Sequence, residues 1–142
     1  MNNNLLQKLQ RIQNCAARLV SKKRIHSGTS LDMVIMNFHW LKVKHRIIYK
    51  IILIVHNCLH QNSPNELISM FQYAESIRTM HLRESKCSNK YGDRSFSHVG
   101  PKLWNLLPLK IRNEHNTPKF KKDLKTFLMS QGDEYCSWIN RH

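Results

Sequence analysis

The pentapeptide HNCLH, residues 56–60, carries side chains that bind transition metals. A helix would place His56 and His60 on one face, where both imidazoles could bind zinc beside the Cys58 thiol. A structural zinc site needs four ligands, and no second closely spaced pair supplies the others. We therefore expect ordinary helix histidines here, and neither a metal nor another cofactor.

A second stretch, YGDRSFSHVGPKLWNLLP at residues 91–108, contains an acid beside a base. Asp93 and Arg94 are adjacent, so they cannot face each other as an acid/base pair, whereas an Asp after a glycine suits the cap of a turn. A proline can open the short helix that follows, and another can end it. We interpret the stretch as a structural motif formed by Tyr91, Gly92, Asp93, Arg94, Phe96, Pro101, Trp104 and Pro108.

The same stretch has an alternative interpretation as a platform for single-stranded nucleic acid. Tyr91, Phe96 and Trp104 could stack on bases beside Arg94 and Lys102, because such platforms combine aromatic rings with cations. Aromatic residues at this spacing more often belong to a core, so we favour the structural interpretation, in which Trp104 lies in the core.

Catalytic patterns are missing from the rest of the sequence. No glycine-framed elbow presents any of the four cysteines as a nucleophile, and the four glycines form no phosphate-binding loop motif. Asp32 and Asp93 stand alone, whereas two-metal polymerisation requires clustered carboxylates. We therefore expect no enzyme activity and no small-molecule substrate.

Positive charge dominates the composition. The 142 residues include 23 Lys+Arg and 9 Asp+Glu, a net charge of +14, and residues 1–50 hold ten basic residues and one acid, Asp32. Nucleic acid is the partner that this excess favours over a merely solvated surface. The residues expected to contact phosphates are Arg18, Lys22, Lys23, Arg24, Lys42, Lys44, Arg46 and Lys50, with a second patch of Lys119, Lys121, Lys122 and Lys125.

Helical periodicity accounts for most of the apolar pattern. An amphipathic helix is predicted between residues 5 and 20, where the apolar residues recur every three or four positions. Its stripe is Leu5, Leu9, Ile12, Ala16 and Leu19. The same spacing predicts a second long helix from Val43 to His60, with the apolar stripe Val43, Ile47, Ile51, Val55 and Leu59.

Two further helices are marked by their start signals. Ser63, Pro64 and Glu66 form a capping-box pattern before an apolar run. Thr117 and Pro118 predict the cap and first turn of the last helix. Its apolar stripe is Phe120, Leu124, Phe127 and Leu128.

The fold class that follows is all-α, a small basic module of five or six helices. Residues 76–90 are polar and aperiodic, which predicts a loop or tether between helical segments 1–75 and 91–142. The longest apolar run, residues 47–55, contains Lys50 and is too short for a membrane span. Scattered cysteines and the lack of a signal-peptide pattern predict an intracellular protein, nuclear or cytoplasmic and not secreted.

Four stretches resemble the C-terminal tail of the reverse transcriptase of LINE-type non-LTR retrotransposons. They occur in one order as LQRIQNCAARLV from Leu9, FHWLKVKHRIIYKIILIVHNCL from Phe38, YGDRSFSHVGPKLWNLLPLKIRN from Tyr91 and FKKDLKTFL from Phe120. Four ordered motifs are specific, whereas any one alone is weak. Lys42 departs from the family pattern, which usually has proline there.

The resemblance implies a thumb-like segment at residues 1–75 and a post-thumb segment at 91–142. It implies non-specific, phosphate-mediated binding of RNA or an RNA/DNA hybrid, and contact with the palm and fingers of the parent polymerase. The family's catalytic aspartates lie upstream of this region, so the resemblance implies a truncated, non-catalytic product. The alternatives are a helical protein-interaction or structural module and an inert remnant of a decayed element.

Overall fold

The computed structural model describes residues 3–21, 38–60, 62–74, 80–84, 92 and 95–131. Within these ranges the chain forms six helices and neither strand nor sheet, which confirms the all-α prediction. The helices are α1 (Asn3–Ser21), α2 (Val43–Leu59), α3 (Asn65–Ile68), α4 (Phe96–Asn105), α5 (Leu109–Arg112) and α6 (Thr117–Ser130). An isolated antiparallel bridge joins Tyr73 to Leu82.

The chain divides into two compact units. The first unit comprises Met1–Ile47 with Lys125–His142, and the second unit comprises Ile48–Leu124. The boundaries therefore fall inside α2 and α6. They differ from the three sequence segments 1–75, 76–90 and 91–142, which stay a prediction.

In the first unit α1 is fixed through two glutamine side chains. The backbone N–H of Val43 donates to Gln10 Oε1 at 2.9 Å, and Gln13 Nε2 donates to the Leu41 carbonyl oxygen at 2.8 Å. Val43 is the first residue of α2, so Gln10 satisfies an N–H that has no partner within that helix. The adjoining apolar contacts place Phe38 and Trp40 on Ala17.

The side of α1 that the first unit buries differs from its predicted stripe. Leu6 and Ala17 are buried, whereas Leu5, Leu9, Ile12 and Leu19 are exposed. Spacing identifies the apolar side of a helix, but which side is covered depends on the neighbouring segment. Here the backbone polar groups of residues 41–43 hold the glutamine side of α1.

The core of the second unit covers a side of α2 that differs from the predicted stripe. Ile48, Ile52 and Val55 are fully buried, whereas Ile51 and Leu59 of the predicted stripe are half-buried. The helix spans Val43–Leu59, one residue shorter than predicted. The β-branched side chains are accommodated because the free energy of packing against a core outweighs their slightly low helix propensity.

Trp104 anchors α4 in the second unit. Its side chain is 1% exposed, and its indole Nε1 donates to the Met80 carbonyl oxygen at 2.9 Å. The next residue, Asn105, accepts from the Leu82 N–H at 2.8 Å and donates to the Leu82 carbonyl oxygen at 3.0 Å. Residues 80–84, which lie within the predicted tether, are therefore bound to the end of α4.

The start of α4 lies earlier than the sequence indicated. Ser95 has the extended backbone of an N-cap residue, so the helix begins at Phe96 and Pro101 lies inside it instead of opening it. Burying Leu103 and Trp104 beyond the proline offsets the one hydrogen bond that its missing N–H removes. Gly100 permits close packing, because a Cβ there would lie 2.9 Å from Phe71 Cε1.

Two other helix starts are shifted by one residue from their predicted positions. α3 is a single turn whose N-cap is Pro64 and not Ser63, without a side-chain cap hydrogen bond. At the start of α6 the cap is Asn116 and not Thr117, because Asn116 Oδ1 accepts from the Lys119 N–H at 3.1 Å. Proline and threonine mark the region of a helix start, and the local backbone selects the residue that caps it.

Truncation of Trp104 provides a test of this core. Trp104→Ala should lower the free energy of unfolding by about 3–5 kcal/mol, because it empties a buried aromatic site and leaves the Met80 carbonyl without its donor. Thermal melting followed by circular dichroism measures the loss.

Leu106→Ala is the matched control, since Leu106 directly follows α4 and is 58% exposed. Its melt should stay close to that of the wild type. Equal melting of the Trp104→Ala variant and the wild type would contradict a core role for the indole.

Candidate nucleic-acid interface

The described residues of the first unit carry cations and no acids. Seven Lys or Arg side chains occur there, and neither Asp nor Glu. The cations are Lys8, Arg11, Arg18, Lys42, Lys44, Arg46 and Lys125. In the described part of the second unit, eight Lys or Arg accompany four acids, Glu66, Glu84, Glu114 and Asp123. Over the full sequence the first unit holds 11 Lys or Arg and three acids, Asp32, Asp133 and Glu134, whereas the second unit holds 12 Lys or Arg and six acids. Both units therefore carry an excess of positive charge that would attract a polyanion, and the excess is somewhat larger in the first unit.

Three exposed cations lie along one side of α1. Lys8, Arg11 and Arg18 stand three and seven positions apart, so the helical period places them in a row about 15 Å long. The sequence prediction included Arg18 but not Lys8 or Arg11. The signal that could have found them was the same spacing, on the polar side of the predicted amphipathic helix.

The other residues of the first predicted patch are distributed over both units. Arg46 is exposed and Lys42 and Lys44 are half-buried in the first unit, close in sequence to the start of α2. Lys50 is exposed on the part of α2 that belongs to the second unit. Lys22, Lys23 and Arg24 lie outside the described residues.

The second predicted patch follows the polar side of α6. Lys121 and Lys122 are exposed in the second unit, and Lys125 belongs to the first. Lys119 forms an ion pair with Glu114, and this contact lowers the pKa of the Glu114 carboxyl and raises that of the Lys119 ammonium. Lys119 is therefore partly neutralised within the chain, which makes it a weaker candidate for phosphate contact than Lys121.

The predicted structural motif at residues 91–108 lies in the second unit as far as it is described. Pro101 is buried with Trp104, and the half-buried Phe96 ring meets Phe71 edge-on at 5.2 Å between centroids. The Gly92 carbonyl oxygen accepts from the Ser95 N–H at 3.0 Å. Pro108 precedes α5 as its N-cap. Tyr91, Asp93 and Arg94 lie outside the described residues.

The burial of Trp104 decides the role of this residue within the motif. A base can stack only on an exposed ring face, and the indole is 1% exposed. Its N–H is also occupied by the Met80 carbonyl oxygen. Trp104 is therefore a core residue and not part of a stacking platform.

The histidines of HNCLH form a ring cluster in the second unit. His56 stacks on Phe120 with centroids 3.9 Å apart and lies 4.3 Å from the His60 ring, which in turn meets His115 at 5.0 Å. His56 Nε2 donates to the Glu114 carbonyl oxygen at 3.0 Å, because a carbonyl can only accept. Across the described part of the chain, no three His, Cys, Asp or Glu side chains are placed to hold a metal ion.

Burial determines the protonation of this cluster. Desolvation lowers the pKa of His56. The hydrogen bond to Glu114 raises this pKa, and the nearby His115 lowers it further. The pKa of His60 is lowered by burial and by the adjacent His56 and His115. The buried imidazole of His56 is therefore held neutral at neutral pH, as a core residue and not as a phosphate-binding cation.

The lowered pKa values predict that acid destabilises the second unit. The unfolded chain binds more protons than the folded chain once the pH falls below the ordinary histidine value, so the free energy of unfolding should fall between about pH 7 and pH 5. His56→Gln should reduce this decrease while lowering stability at neutral pH, because the stacked ring is lost. Denaturant titrations at several pH values measure both effects, and an identical pH slope in the variant would contradict the assignment.

Similarity to known proteins does not identify a family for this chain. No protein-family model, no curated protein and no solved structure matches it. None of the helices in the described ranges has the length and apolar character required to cross a membrane.

Proposed function

We propose that this chain is a non-catalytic nucleic-acid-binding module that corresponds to the C-terminal tail of a LINE-type retrotransposon reverse transcriptase. It binds RNA or an RNA/DNA hybrid through phosphates and with little sequence preference. The four ordered sequence motifs support the family, and the all-α fold is compatible with it. The upstream palm and fingers of the parent polymerase are its proposed protein partner.

The observation that carries this proposal is the unbalanced charge of the first unit. Over the full sequence the first unit holds 11 Lys or Arg and three Asp or Glu, and this excess gives a potential that favours any polyanion. Phosphate contacts require positive charge and exposed side chains long enough to touch the backbone, and they do not require recognition of the bases. The exposed row of Lys8, Arg11 and Arg18 on α1, together with Arg46, supplies both.

The proposed lack of catalytic activity is based on the arrangement of the carboxylates. Polymerisation requires clustered acids that hold two divalent ions at the reacting oxygens. Glu114 is already paired with Lys119, and no three His, Cys, Asp or Glu side chains among the described residues are placed to hold a metal ion. Chemistry would come from the proposed upstream partner.

Salt dependence tests the phosphate contacts. We expect binding of a fluorescent single-stranded RNA to weaken steeply as salt rises, because each phosphate that a cation neutralises releases counterions. Arg18→Gln with Arg46→Gln should reduce the slope of log K against log salt by up to about 1.4, because each phosphate of a single strand that is no longer neutralised accounts for about 0.7.

The matched control is Lys102→Gln with Lys110→Gln, which removes the same charge from exposed positions of the second unit. Its slope should change much less. Equal slopes for both double variants would mean that only total charge matters and would overturn the assignment to the first unit.

Primer extension tests the proposed lack of chemistry. The purified chain should incorporate no nucleotides on an RNA or DNA template with Mg²⁺ or Mn²⁺, because the acids of its described residues form no cluster that could hold two metal ions. Template-dependent incorporation that survives further purification would show an activity that the proposal does not contain.

A further inference from the structure

Helix α1 presents a row of large apolar side chains to the outside of the first unit. Leu5 is 52% exposed, Leu9 42%, Ile12 65% and Leu19 79%. We call these four residues with Ala16 the α1 apolar face. Isolated exposed leucines are common, but a contiguous row on one helix marks an interaction surface.

The spacing of the α1 apolar face is that of a coiled-coil seam. Its members follow one another at intervals of four, three, four and three residues, which is the a/d pattern of a heptad repeat. Leu5, Ile12 and Leu19 then occupy one heptad position and Leu9 with Ala16 the other. This pattern fits the apolar side of a partner helix.

A groove runs along the same face. Its volume is about 550 Å³, and Leu9, Ile12 and Ala16 line it from α1 while Trp40 and Val43 line it from the adjoining segment of the first unit. A concave apolar groove accepts a row of projecting side chains. A lipid surface, in contrast, requires a helix whose apolar face protrudes.

Charge determines which kind of helix fits. Lys8, Arg11 and Arg18 directly precede Leu9, Ile12 and Leu19, so cations line one edge of the α1 apolar face. Neither α1 nor residues 38–47 contain an acid, and Arg46 lines the groove itself. A second copy of this chain would bring these cations together, whereas acidic flanks on the partner would be attracted to them.

We infer that the α1 apolar face and its groove form a docking site for an acidic amphipathic helix of another protein. The partner helix places apolar side chains in the groove and its Asp or Glu side chains opposite the cations of α1. This inference is independent of the proposed phosphate binding, because the apolar side chains that anchor the partner make no phosphate contact.

A designed helical peptide is the probe. It carries leucine at the a and d positions of its heptads and glutamate at e and g, and its own negative charge keeps it monomeric. Anisotropy of the labelled peptide should report saturable binding to the wild-type chain. A scrambled peptide of the same composition, which has the charge without the apolar stripe, should bind at least about tenfold more weakly.

Paired variants locate the site. Ile12→Ser with Leu19→Ser should weaken peptide binding at least about tenfold, as truncation of central apolar anchors does, and should leave the melt and RNA binding essentially unchanged. The matched control is Ile54→Ser with Leu106→Ser, which removes exposed apolar side chains of the second unit, 41% and 58% exposed. It should keep wild-type affinity for the peptide.

Several results would overturn the inference. Equal binding of the scrambled peptide would reduce the contact to charge alone, and equal affinity of both double variants would place it elsewhere. A large drop in melting temperature for Ile12→Ser with Leu19→Ser would mean that the chain covers this face itself. A concentration-dependent dimer in sedimentation that the Ile12→Ser with Leu19→Ser variant no longer forms would assign the face to a second copy of the chain. Binding to phosphatidylserine vesicles that this variant loses, without any peptide binding by the wild type, would assign the face to a membrane.

Discussion

The second unit depends on the burial of two rings with polar edges, His56 on α2 and Trp104 on α4, against Phe120 on α6. A buried imidazole or indole is tolerated only when its N–H has an acceptor. His56 donates to the Glu114 carbonyl oxygen, and Trp104 donates to that of Met80. Both acceptors lie outside the helices, in the segments that precede α6 and α4. The two rings therefore fix three helices to one another and also hold the connections between them, which explains why residues 80–84 pack against the end of α4.

The sequence predicted best where a helix is covered along its own apolar stripe. The spacing of Phe120, Leu124 and Leu128 on α6 identified buried residues correctly. On α2 the spacing identified the helix, but Val55 alone of its predicted stripe is fully buried, because the core covers the side that carries Ile48 and Ile52. The start of α2 was correct, but the caps or starts of α3, α4 and α6 were wrong by one or more residues. Thr117, for example, precedes a proline as a cap often does, but the donor at Lys119 lies within reach of the Asn116 side chain. Such choices depend on local backbone geometry, on which composition gives no information.

The candidate interface was predictable in charge but not in arrangement. Net charge follows from counting, whereas neutralisation depends on which acid lies near which base. Lys119 and Glu114 are five residues apart, and only the turn before α6 brings them together. Counting also gives equal weight to Lys50 and Arg46, which belong to different units.

Helix α1 combines three different surfaces. Gln10 and Gln13 fix it to the start of α2, Lys8, Arg11 and Arg18 form a cationic edge, and the α1 apolar face lies between. Phosphate binding and helix docking would therefore use different side chains of one element, and truncating one set need not remove the other. They would still be coupled, because an acidic helix beside the cationic edge lowers the local positive potential. Coupling between two binding sites is reciprocal. RNA bound at the cationic edge would therefore lower the affinity for the acidic helix by the same factor by which the bound helix lowers the affinity for RNA. The geometry of α1 thus predicts competition through charge between ligands whose contacts do not overlap.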